Sequence, residues 1–148
     1  MTTSLPLTRH RDAALRYALI GLELFVAVGA VYGAVMLITD GWHLPLPDLQ
    51  PLPLHSWVLP GLALVALVTV PMSAAAIGAV RNTPRAAQLS IGAGLTLAGW
   101  ILLQLLVIGP QMWLQAFMLI CGLAIATLGW VWRSRLAREA ATEGVRRR

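Results

Sequence analysis

The sequence predicts an all-α integral membrane protein, a four-helix bundle with both termini in the cytoplasm, on three observations. First, apolar runs at about residues 15–38, 56–80, 86–108 and 111–132 each match the roughly 20 residues that a helix needs to cross ~30 Å of hydrocarbon. Second, 58% of the residues are hydrophobic and 11% charged, against roughly 25% charged in soluble domains, and the mean hydropathy is +0.75. Third, the 11 basic residues are all Arg, and they stand before the first run, between the second and third, and after the fourth. The positive-inside preference therefore orients every run the same way. A chain of 148 residues is one domain, here a single transmembrane domain over residues 1–148.

The first run is preceded by Arg9, Arg11 and Arg16 and closed by Asp40 and Gly41, a helix-stopping pair. It is longer than the roughly 7–15-residue core of a secretory leader and contains Glu23, so it reads as a span. Residues 1–12 are polar, include Pro6, and are expected to be poorly ordered. In the outer loop, residues 39–55, Pro45, Pro47, Pro51 and Pro53 alternate with leucines, which favours extended backbone. Those leucines and Trp42 place the loop against the membrane surface. The second run opens with Ser56 as N-cap, Trp57 at the interface and Pro60 in the first turn. Pro71 lies inside it, removes the hydrogen bond to the Leu67 carbonyl, and predicts a kink. Pro84 opens the third run after the turn at 81–85, Gly109-Pro110 separates it from the fourth, and residues 133–148 form a basic cytoplasmic tail. Trp42, Trp57 and Trp113 fall near the outer interface, Trp130 and Trp132 near the inner one, and Trp100 within a span.

Counting depth at 1.5 Å per residue sets Glu23, Ser73, Thr96 and Thr127 roughly 8–15 Å from the inner surface, as one polar layer and the candidate proton or ligand site. The face of the first helix that bears Glu23 continues through Ala27, Ala30 and Ala34, small residues that mark a close helix contact, so Glu23 points inward. Two readings of it stand side by side. It is a proton or cation site, or it is a neutral, hydrogen-bonded acid that fixes packing. Gly29 and Gly33 form a GxxxG pair, for a second helix contact or a homodimer seam. Gln104 and Gln115, at matching depth near the outer end, can clasp across the hairpin, or can join Trp100 in a small-ligand pocket opening outward.

Other chemistry finds little footing. The spacing of Asp40, His43, Asp48 and His55 fits no metal-ligand pattern, and no cofactor is expected. Without a Ser/His/Asp arrangement or a phosphate-binding loop, the chain is not read as an enzyme. The arginines gather at helix ends instead of forming a stripe, which argues against nucleic acid. Arg133, Arg135, Arg138, Arg146, Arg147 and Arg148 suit an anchor to anionic lipid. Cys121, alone in an apolar run, cannot form an intramolecular disulfide.

Several stretches carry a resemblance: Leu44-Pro45-Leu46, Trp57, Leu59-Pro60-Gly61-Leu62, Gly99-Trp100, Gln104, Ile108-Gly109 and Trp113-Leu114-Gln115. Over most of residues 15–130 the chain resembles uncharacterised small four-helix bacterial integral membrane proteins, which implies the fold and no particular chemistry. More loosely, Tyr17 and Glu23 resemble the first helix of the small multidrug resistance transporters, four-helix proteins in which such a Glu exchanges a proton for a cationic drug. The Pro-rich loop and the basic tail depart from that pattern.

The expectation is a multi-pass cell-membrane protein acting as a structural or accessory component. The alternative is a small proton-coupled transporter using Glu23. The lipid bilayer and a homodimer or membrane-protein partner are its expected surroundings. In a background lacking Cys121, cysteines introduced within residues 39–55 should react with an impermeant reagent added outside the cell, and cysteines near the C-terminus should not. Labelling of both from the same side would contradict the four-span topology.

Overall fold

A computed structural model describes residues 5–41, 43, 56–110 and 113–146, with side chains from Asp12 to Val145 within those limits. The loop prolines, Trp42, Asp48 and His55 lie outside the described residues. The chain is all-helical, with no strand among the described residues: α1 (Leu5–Ile38), α2 (Val58–Val80), α3 (Ala86–Val107) and α4 (Trp113–Arg146). Each of the four is long and apolar enough to cross a membrane.

The two outer helices run past their apolar stretches. α1 already begins at Leu5, inside the segment expected to lack order, and Pro6 sits in its first turn, where a missing N–H costs nothing. α4 continues through the basic tail to Arg146, because Arg, Leu, Ala and Glu all favour helix. Two helix ends share one cap. Asp40 (φ 55°) follows α1 and Asn82 (φ 51°) follows α2, both left-handed. In each case the next amide reaches back five residues, Gly41 to the Met36 carbonyl at 2.9 Å and Thr83 to the Gly78 carbonyl at 3.0 Å. The left-handed residue that ends α1 is thus Asp40, and Gly41 stands one position beyond it.

α2 is irregular at its middle. Val58–Leu64 and Val70–Val80 are α-helical, but Val65–Thr69 is a π turn in which the Val70 amide bonds back to the Val65 carbonyl. The sequence predicted disruption at Pro71, and the structure sets a widened turn directly before it. Pro71 has no amide to give Leu67, and its ring crowds the preceding turn, so an extra residue in that turn accommodates both.

The helices pack in a ring, α1 on α2, α2 on α3, α3 on α4, and α4 back on α1. Because lipid tails are as apolar as leucine, such packing depends on close fit. The buried faces accordingly bear small residues: Ala27, Ala30 and Ala34 of α1, Ala75, Ala76 and Ala79 of α2, Ala86, Ala87, Ala93 and Ala98 of α3. The closest approach joins α3 to α4. A Cβ added to Gly94 would stand 2.6 Å from both the Ala126 nitrogen and the Gly122 oxygen, and one added to Gly122 would stand 2.9 Å from the Gly94 oxygen. Gly33 is buried and a Cβ on Gly29 would touch Met118 of α4, so this glycine pair packs within the chain.

Polar ties join the arginine-bearing ends. Arg135 of α4 pairs with Asp12 of α1 at 3.1 Å. Arg16 donates to the Asn82 side chain and lies over the Tyr17 ring, 5.2 Å from its centroid. Trp132, expected at the interface, is instead buried in the core cluster, while Trp113 and Trp130 are exposed. Toward the other end Phe25 meets Phe117 edge to face at 6.2 Å.

Substituting Gly94→Ala should force the α3 and α4 backbones apart and destabilise the protein in mild detergent by about 1–3 kcal/mol. Gly92→Ala, two residues away on another face of α3 with nothing within 4 Å of the added carbon, should leave the melting temperature unchanged or raise it.

Candidate functional site

Glu23 is completely enclosed, at 0% exposure, and so is Ser90 of α3. The buried side chains of the bundle, Leu19, Val26, Met72, Ala75 and Ala86 among them, form one core cluster. α1 and α3 are not neighbours in the ring, so the glutamate reaches across the interior, and the Ser90 hydroxyl is the polar side chain that meets it. The two groups face each other without closing a hydrogen bond: both carboxyl oxygens of Glu23 and the Ser90 oxygen are buried and unpartnered among the described residues. A polar atom left in this condition costs on the order of 1–3 kcal/mol, so the pair stores an unused capacity to bond.

Of the expected polar layer, only Glu23 occupies this place. The Thr96 hydroxyl donates to the Gly92 carbonyl at 2.9 Å and the Thr127 hydroxyl to the Leu123 carbonyl at 2.7 Å, each on its own helix, and Thr127 is exposed on the outside. Ser73 is half-buried on α2 and makes no hydrogen bond to Glu23. Ser90 was missed because depth was counted at the backbone. A helical side chain leans toward its own N-terminus, which on α1 is the arginine-bearing end, so the long Glu23 side chain meets α3 nearer that end, at Ser90, six residues before Thr96. The signal was present in the face Ala86, Ser90, Ala93, Gly94 and Leu97, small residues around one hydroxyl. Thr69, in the π turn, also has a buried hydroxyl without a partner among the described residues.

The outer pair does not form the expected clasp. The Gln115 amide donates to the Gly109 carbonyl at 3.5 Å, a bond to the turn that precedes its own helix, and no Gln104–Gln115 bond forms among the described residues. Gly109 adopts φ 82°, which turns its carbonyl into that position at no steric cost to a residue without a Cβ. Trp100 is half-buried, with its indole N–H enclosed and unpartnered among the described residues. Asp40 and His43 approach each other at 3.5 Å, both well exposed, and no group of metal-ligating side chains gathers among the described residues. Cys121 is a free, buried thiol.

Compared with protein-family models, curated proteins and solved structures, the chain matches none.

Proposed function

We propose that the protein is a non-catalytic structural or accessory component of the membrane, with both termini cytoplasmic, in which Glu23 in its neutral form serves as a packing group. The observation that carries this reading is the complete enclosure of Glu23 among small and aliphatic side chains, with Ser90 as its polar neighbour. The other hydroxyls that could have built a pathway, Thr96 and Thr127, are bonded to their own helices. In the bilayer the carboxyl donates to Ser90, a bond worth about 1–2 kcal/mol at most in such surroundings. The arginines of α4 rest on anionic headgroups, and a membrane-protein partner or a second copy covers part of the apolar exterior.

One observation favours a second reading, proton-coupled transport: the unpartnered Glu23 oxygens can hold a proton or a cation, and they lie in a bundle whose α2 is locally widened. Reconstituted vesicles separate the two. With Glu23 as a packing group, wild type and Glu23→Gln should both show no proton movement across a broad panel of cations, and Glu23→Gln should accumulate to normal levels because an amide also donates. Flux in the wild type that Glu23→Gln abolishes would establish the transporter instead, since an amide cannot cycle its proton.

A further inference from the structure

On the apolar exterior of the bundle between α1 and α2, Leu24, Ala76, Ile77 and Val80 line a groove of about 230 Å³, open along one side and ending at Arg81. Helical spacing builds it. Positions 76, 77, 80 and 81 share one face of α2, where buried Ala76 makes the floor and Ile77 and Val80, 52% and 61% exposed, form the wall. The volume lies below the roughly 300–1,000 Å³ of pockets that enclose a drug-sized ligand, and the lining is apolar up to its end. It has the dimensions for a length of alkyl chain and no means of holding a compact polar solute.

The mouth of the groove is cationic. Arg81 and Arg85 are exposed in the turn between α2 and α3, and Arg16 reaches the same turn through its bond to Asn82. Among the described residues none of these three arginines meets a carboxylate: Asp12 is paired with Arg135, and Glu23 is sealed inside. Like charges gathered at one turn repel each other, and an anion among them converts that repulsion to attraction. Phosphate suits the geometry, since its oxygens match the fork of a guanidinium. A zwitterionic headgroup would bring a further positive charge to the same spot.

An apolar trough that opens into a cluster of uncompensated cations, at the end of a membrane-length helix, is complementary to one amphiphile. We propose that this groove binds a single anionic phospholipid, with its phosphate at Arg81, Arg85 and Arg16 beside it, and one acyl chain along Val80 and Ile77 to Leu24. The site is separate from the basic tail and independent of the role of Glu23.

The test uses the whole protein in mild detergent, with phosphatidylglycerol or phosphatidylcholine added and the bound lipid counted by native mass spectrometry. Wild type should retain phosphatidylglycerol in preference, and Arg81→Gln should cut that preference roughly five-fold, the worth of one arginine near a charged headgroup. Arg81→Lys should keep most of it, and Ile77→Trp, which fills the groove from its exposed wall, should reduce retention with the arginines intact. Replacing Arg146, Arg147 and Arg148 together by Gln should leave the preference in place. Equal retention of the two lipids by wild type would overturn the proposal. So would a preference indifferent to Arg81→Gln and Ile77→Trp, one that disappears with the tail arginines, or ready displacement of the lipid by inorganic phosphate, which would mean an anion site without a chain.

Discussion

Within hydrocarbon, burying a leucine against another helix gains little over leaving it in lipid, so helices stay together only where their backbones can come close. Gly94 and Gly122 supply that approach between α3 and α4, at distances that leave no room for a Cβ on either. The same constraint explains the alanine faces of α1, α2 and α3, and also why the large apolar residues point outward. Tyr17, Val28, Leu106, Trp113 and Ile120 are each more than 60% exposed, a pattern that would be a liability in water and is ordinary against lipid.

A ring packed on small residues leaves its centre narrow, and what fills that centre acquires leverage over the whole. Glu23 is the long side chain placed there, and it bridges α1 to α3, helices that share little backbone contact. Its burial among alanines makes the carboxyl expensive to leave unbonded, and Ser90 is the group within reach. The polar ties at the arginine-bearing end work differently. The Asp12–Arg135 pair is partly exposed, 26% and 42%, and such a pair is worth about 0–1 kcal/mol. It sets how α4 lies against α1 more than how firmly the bundle holds.

Much of this was legible in the chain because the bilayer imposes it. Run length and arginine placement mark four helices, and the series Glu23, Ala27, Ala30, Ala34 marks a buried face that is buried in the structure. What escaped depended on directions and on local competition that residue counting cannot carry. The lean of a helical side chain substituted Ser90 for Thr96, and back-bonding to Gly92 and Leu123 withdrew Thr96 and Thr127 from the interior. The effect of Pro71 was expected at the proline and fell in the turn before it. Gln115 found a nearer acceptor in the Gly109 carbonyl than in Gln104. The start of α1 departs from expectation because polar composition and Pro6 pointed to disorder, although a proline fits the first turn and Leu and Arg favour helix.

The claim on which the account rests is that Glu23 and Ser90 act as one unit across the bundle. A double-mutant cycle with Glu23→Leu and Ser90→Ala, each of which removes the interaction, read as the free energy of unfolding in mixed detergent, measures that directly. The account predicts a coupling of roughly 0.5–1.5 kcal/mol, with the double variant less destabilised than the sum of the single ones. Additivity within about 0.3 kcal/mol would contradict it and leave the two groups as unrelated polar residues that happen to share a core.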